Sequence, residues 1–177
     1  VRSIGFVMAP CINAAGRLDD ANVAYKLLVS ERADKAQELA WELERNNTER
    51  RELTTTYVAE AVRQVEATQK NEPVLFVHHA EWKTGIVGLI ASRIKDQYQK
   101  PTIALAYNGP LLTGSGRSIT GFNLIAALQH MPEYFLKFGG HPMACGFSLA
   151  DETKKEAFQT ALRNFFNEQT QGKDITP

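Results

Sequence analysis

A chain of 177 residues with 44% hydrophobic content suffices for one folded domain, or one domain with an appended helical segment, and excludes a disordered chain. Its 20 basic and 20 acidic residues cancel, which excludes the broad basic face of a non-specific duplex binder and leaves any nucleic-acid contact to a local cluster. No apolar run approaches the ~18 residues that cross a membrane, and no signal peptide is present, so a membrane partner is not expected. Cys11 and Cys145 are far apart, without metal or redox spacing, and read as reduced thiols of a cytoplasmic protein. The chain opens at Val1, inside what reads as continuous structure, and is expected to be a piece of a longer polypeptide.

In chain order, residues 1–18 read as a glycine-punctuated loop. Asp19 or Asp20 then caps a short helix to about Ser30, burying Val23, Ala24, Leu27 and Leu28. Ser30, with Glu31 and Asp34 behind it, starts a long helix to about Gln69. The apolar stripe of that helix runs Ala36, Leu39, Ala40, Leu43 and resumes at Tyr57, Val58, Ala61, Val62, Val65. Between the blocks the same face carries Asn47, Arg50 and Thr54, either a solvated turn or a face spanning a cleft. Nearly forty helical residues reach on the order of 55–60 Å, longer than a small domain is wide, so the helix reads as a connector.

Asn71-Glu72-Pro73 stops the helix. The spacing then predicts a strand over Val74–Val77, a helix from Thr84 to about Gln97 and a strand over Thr102–Ala106. A turn at Asn108-Gly109-Pro110 leads to an extended segment, Leu111–Ser118, and a helix over Asn123–His130. Ala144–Leu149 is a last strand, and a closing amphipathic helix uses Ala157, Phe158, Ala161, Leu162 and Phe165. Strands alternating with helices give an α/β class. The expected organisation is a loop and helical connector over 1–70, an α/β domain over 71–168 and a frayed polar tail over 169–177.

Four segments carry residues suited to chemistry. In Gly114-Ser115-Gly116-Arg117-Ser118, glycines free backbone N–H groups while hydroxyls and a guanidinium surround one point. That is a cradle for phosphate, or else a glycine bulge beside a surface arginine. In Phe138-Gly139-Gly140-His141-Pro142, paired glycines allow close backbone approach, and His141 on a loop either donates to a phosphoryl oxygen or merely satisfies the surface. Lys83 and Thr84 stand where a helix N-terminus attracts anions, although the order of a Walker A loop is missing. Asn13 and Arg17, four residues apart, either grip a nucleotide or cap helices. Gly88 reads as a packing point. No cluster of Asp and His suited to Mg²⁺ or Mn²⁺ occurs, so no metal is assigned to this chain.

Together these segments resemble RecJ, the single-stranded-DNA-specific exonucleases of the DHH phosphoesterase superfamily, from about Gly5 to Leu149. The likeness rests on PCINAAGRL (Pro10–Leu18), Asn47–Arg50, WKTGIVGLIASRI (Trp82–Ile94), GSGRS (Gly114–Ser118) and KFGGHPMACG (Lys137–Gly146), in that order. It implies a connector helix followed by a DHH-associated α/β domain with a central mixed sheet. It also implies an amino-terminal DHH lobe outside this chain that holds Mn²⁺ or Mg²⁺, and an OB-fold after it. By the same likeness Ser115, Arg117 and Ser118 hold a 5′-terminal phosphate, His141 faces the scissile phosphate, and Asn13, Arg17, Gly139, Gly140 and Lys83 contact the strand. The implied partners are single-stranded DNA and a single-stranded-DNA-binding protein, in DNA repair and recombination. Cys11, Lys83 and Cys145 stand where the family pattern has Arg, His and Ala. Two alternatives remain at this level: a non-catalytic nucleotide- or nucleic-acid-binding module, and a DHH-family phosphodiesterase acting on short oligonucleotides or cyclic dinucleotides.

Overall fold

A computed structural model of the chain describes residues 3–18 and 21–171, which divide into two compact units, Val1–Thr56 and Tyr57–Pro177. In the first unit a π-helical turn, Ile4–Met8, runs into helix α1 (Ala9–Leu18), followed by α2 (Asn22–Leu28) and the start of α3 (Ala33–Thr68). The loop expected over residues 1–18 is therefore helical from Ile4 onward. Gly5 and Gly16 suggest a loop, but Ala9, Ala14 and Ala15 are strong helix formers. Ala15, Val23, Ala24, Leu39 and Leu43 form the buried cluster of this unit. Leu28, expected inside, is 67% exposed because α2 ends there. Asp19 and Asp20, nominated as a cap, lie outside the described residues, and the Ser30 hydroxyl donates to the Arg32 carbonyl while α3 starts at Ala33.

At 1.5 Å per residue α3 is about 54 Å long. The residues of its polar interruption are tied to one another and to Cys11 inside the first unit. Arg50 Nη2 donates to Asn47 Oδ1 at 2.9 Å, Asn47 Nδ2 donates to Cys11 Sγ at 3.5 Å, and Thr54 donates to the Arg50 carbonyl.

The second unit contains β1 (Leu75–His78), α4 (Thr84–Tyr98), β2 (Thr102–Asn108), β3 (Leu111–Arg117), α5 (Leu124–Gln129), β4 (Phe135–His141), β5 (Ala144–Leu149) and α6 (Lys155–Thr170). The sheet is mixed and five-stranded, in the order β1-β2-β3-β5-β4. Only β1 and β2 are parallel, joined through α4, and the other neighbours are antiparallel. The strands and helices expected from Val74 to His130 occur within one or two residues of their expected ends. Gln169 and Thr170, expected in a frayed tail, are the last turn of α6, and residues 172–177 lie outside the described residues.

Burial alternates along β3, and the alternation sorts the two sheet faces. Leu112, Ile103, Leu105, Phe147 and Cys145 point to the core shared with Leu124, Phe158 and Leu162 of α5 and α6. Thr102, Ala104 and Ala106 of β2 pair with Arg117, Ser115 and Thr113 on the opposite face, where their small side chains admit α4.

β4 is the element that sequence reading missed. A register shift lies between Phe135 and Lys137, and this bulge lets Phe135 and Phe138 both reach the core side, with ring centroids 5.3 Å apart. The alternation that would have announced a strand is broken there. Gly139-Gly140-His141 is accordingly strand, not loop.

Candidate nucleic-acid interface

Three rows of register partners define the site. Arg117 of β3 pairs with Ala144 of β5, and Ala144 pairs with His141 of β4, so Arg117 and His141 flank Ala144 in one row. Partners across a sheet project to the same face, and with strands ~4.8 Å apart the two Cα atoms stand roughly 10 Å apart. The next row is Ser115, Gly146 and Gly139, and the one after it is Thr113, Ser148 and Lys137. All three rows lie on the α4 side of the sheet.

Arg117 is oriented before any ligand arrives. Its Nε donates to Ser92 Oγ at 3.1 Å, and its Nη1 donates to Ser115 Oγ at 2.9 Å and to the Gly116 carbonyl at 2.8 Å. The Ser115 hydroxyl in turn donates to the Cys145 carbonyl at 3.3 Å. Gly88 makes room for this arrangement: a Cβ there would stand 2.8 Å from Arg117 Nη2 and 3.3 Å from Ser115 Oγ. The packing point read from sequence thus seats a guanidinium against the helix.

Gly114 and Gly116 have a different purpose from the one their sequence suggests. They sit in a regular ladder on the core side, where a Cβ would come within 2.3 Å of Phe147 and 2.5 Å of Leu124. They form neither an anion-binding turn nor a bulge. Ser118 is likewise turned inward. It is 1% exposed, its hydroxyl donates to the Phe122 carbonyl at 2.7 Å, and its N–H donates to the Met143 carbonyl. A hydroxyl enclosed in this way supports the fold and is not presented to a phosphate.

His141 is exposed and closes a two-residue turn, Pro142-Met143, between β4 and β5. The N–H of Ser118 holds the Met143 carbonyl at 2.9 Å and the N–H of Leu124 holds the Pro142 carbonyl at 3.0 Å, which anchors the turn that follows His141. Gly140 has φ +148°, and a Cβ there would meet the Ala144 carbonyl at 2.3 Å, so only glycine fits. Burial pushes the Cys145 thiol up to about 12, with the side chain on the core side, so it offers no thiolate to the site.

Lys83 is the N-cap residue of α4, one turn before Gly88. The segment leading to it is pinned from α3. Buried Trp82 donates from Nε1 to Glu60 at 2.8 Å and stacks on Tyr57 at 5.9 Å, while the Tyr57 hydroxyl donates to the Glu81 carbonyl. Asn13 and Arg17 belong to the first unit, both exposed and one helical turn apart on α1 rather than on a loop. Ser92, Ala144 and Gly146 were missed in the sequence. For Ser92 a signal existed, since it follows Gly88 by four and therefore shares its helix face.

Among the described residues no group of three or more His, Cys, Asp or Glu side chains is placed to hold a metal ion. No helix among them is long and apolar enough to cross a membrane.

The chain is 42% identical over 165 residues to a protein of Salmonella typhimurium named single-stranded-DNA-specific exonuclease RecJ, covering 88% of this chain and 28% of that protein. The protein of the same name in Bacillus subtilis is 38% identical over 152 residues, covering 85% of this chain and 19% of its own length. The crystal structure of RecJ from Thermus thermophilus in complex with Mg²⁺ superposes with a TM-score of 0.84 at 30% identity, over 94% of this chain and 26% of that one. The chain therefore spans between a fifth and somewhat over a quarter of the length of these relatives. The family model of the DHHA1 domain matches residues 71–168, more than half of the sequence, and the chain belongs to that family.

Proposed function

We propose that this chain is the strand-gripping portion of an exonuclease specific for single-stranded DNA, which acts from the 5′ end in DNA repair and recombination in the cytoplasm. The intact polypeptide would hydrolyse phosphodiesters with a divalent metal bound by another part of the protein, since solved RecJ structures are described in complex with Mg²⁺ or Mn²⁺. The observation that carries this reading is the shared row of Arg117 and His141 on an open sheet face.

In this reading Arg117 and Ser115 take the terminal 5′-phosphate. A guanidinium held by Ser92, Ser115 and Gly116 sets a fixed positive charge beside the phosphate and loses little freedom on binding. His141, across Ala144, faces the scissile phosphate and donates to the oxygen on which charge grows in the transition state. Gly139 and Gly140 keep the β4 backbone close to the strand. Lys83 adds positive charge at the start of α4, and Asn13 with Arg17 contacts the strand from the first unit. Ser118 leaves the set because its hydroxyl is enclosed. Net charge of zero makes the grip local, and it weakens steeply with salt.

Arg117→Ala tests this. In fluorescence-anisotropy titrations the variant should lose about tenfold to a hundredfold in affinity for a 5′-phosphorylated single strand, the scale of a hydrogen-bonded charge. The 5′-hydroxyl strand should be affected far less, and the slope of log affinity against log salt should fall by ~0.7 for the lost phosphate contact. Equal losses on both strands would remove the assignment.

A further inference from the structure

Ser92 lies half-buried on α4, four residues after Gly88 and 25 residues from Arg117 in the chain. Its hydroxyl makes two contacts of different kinds. It donates its proton to the Gly88 carbonyl of the same helix at 2.9 Å, and it accepts from Arg117 Nε at 3.1 Å. A hydroxyl has one proton and two lone pairs, so with the proton committed to the helix it presents a lone pair to the guanidinium. Ser92 is turned to accept from a cation by its own helix.

The bonds that hold the guanidinium are not equivalent. Those to Ser115 Oγ and to the Gly116 carbonyl leave Nη1 and end on β3, the strand that carries Arg117. The bond to Ser92 leaves Nε and reaches a different element. A planar fork fastened at one nitrogen still pivots about it, whereas fastening Nε as well sets its plane. The residue type at 92 has a cost of its own. Serine inside a helix competes for backbone groups, and alanine would serve α4 better. Gly88 and Ser92, four apart, share one face of α4: the first leaves room for the guanidinium and the second holds it.

We propose that Ser92 is a positioning residue for end selection: it sets the plane of the Arg117 guanidinium, and through it the preference for a 5′-phosphorylated over a 5′-hydroxyl end. Ser92 acts through Arg117 and does not itself touch nucleic acid. This rests on the reading of Arg117 as the terminal-phosphate site and adds that α4, not β3 alone, determines its selectivity. A guanidinium left to pivot must be ordered by the phosphate it binds, which weakens that contact and no other.

The test compares 5′-phosphorylated and 5′-hydroxyl single strands of one sequence, titrated against the 177-residue chain, Ser92→Ala, Arg117→Ala and the double variant. Ser92→Ala should bind the phosphorylated strand about three- to tenfold more weakly, the scale of one hydrogen bond, and leave the hydroxyl strand unchanged within about twofold. In the Arg117→Ala background Ser92→Ala should add nothing, because no guanidinium remains to orient. A readout without ligand accompanies these titrations. The Arg117 Nε–H should exchange slowly with water in nuclear magnetic resonance spectra of the chain, and faster in Ser92→Ala. A preference that survives Ser92→Ala, a further loss in the Arg117→Ala background, or unaltered Nε–H exchange overturns the assignment while leaving the phosphate site intact. If Arg117→Ala itself spares the preference, the phosphate site is what fails. A chain that binds neither strand sinks both.

Discussion

At the scale of single residues, the glycines of this chain separate into those that the fold requires and those that it does not. Gly88 is the most informative of the first kind, because the atom a methyl group would strike is the tip of Arg117, a mobile side chain. Gly88→Ala should therefore be tolerated. Helix propensity favours alanine by about 0.8–1 kcal/mol, which offsets the small cost of moving a guanidinium. The displaced Arg117 loses its alignment with Ser92 and Ser115, so affinity for a 5′-phosphate should fall while the melting temperature holds or rises. Paired thermal melts and binding titrations check this, and a parallel loss of both would show that Gly88 matters only for packing.

Secondary-structure elements bring their own constraints, most clearly at the two sheet edges. The outer edge of β1 is covered by glutamine side chains, from α3 and from the turn that follows it, that mimic a neighbouring strand. Gln69 accepts from the Phe76 N–H at 2.9 Å and donates to its carbonyl, and Gln64 does the same for His78. Gln69 also accepts from Arg163 Nη2 at 3.0 Å, which ties α6 to the same edge. Gln69→Ala would leave partly buried backbone groups without partners and should cost ~1–3 kcal/mol, with faster amide exchange at Phe76. Gln64→Ala, at the exposed strand end where water can substitute, should cost no more than ~1.5 kcal/mol. Urea titrations of the two variants give the comparison. At the opposite edge, the bulge in β4 and the pinned Pro142-Met143 turn set the backbone of His141, so its place is a property of a hairpin rather than of a loop.

For the molecule as a whole, the two compact units carry separate buried clusters, one around Leu39 and Leu43 and one around Phe147 and Phe158. Leu43 is 1% exposed, and Leu43→Ala should destabilise its own cluster by ~2–5 kcal/mol. Hydrogen exchange should then quicken across α1, α2 and the first half of α3 and stay unchanged in β3, β4 and β5. Protection lost equally in the sheet would mean that the chain unfolds as one body. The boundary at Thr56/Tyr57 falls within α3, at the interruption of its apolar stripe, whereas the helix stop at Asn71-Glu72-Pro73 was the boundary visible to sequence reading. A helix end is written in local residues, whereas a change of packing partner along one continuous helix is not.

The sequence by itself determined the α/β class, the long helix and the strands from β1 to β3, because periodicity, Pro and Gly punctuation and caps are local signals. It also singled out Arg117, Ser115 and His141 as unusual residue types on glycine-flanked segments. Tertiary structure alone decided which of them share a face, since strand register joins residues dozens of positions apart and places Arg117 and His141 on either side of Ala144. It turned Ser118 inward through a hydrogen bond to Phe122, and it assigned Gly114 and Gly116 to core packing while leaving Gly139 and Gly146 bare. A glycine reads the same in any sequence. What its absent side chain makes room for depends on the atoms that folding brings opposite it, which is why this distinction appears only in three dimensions.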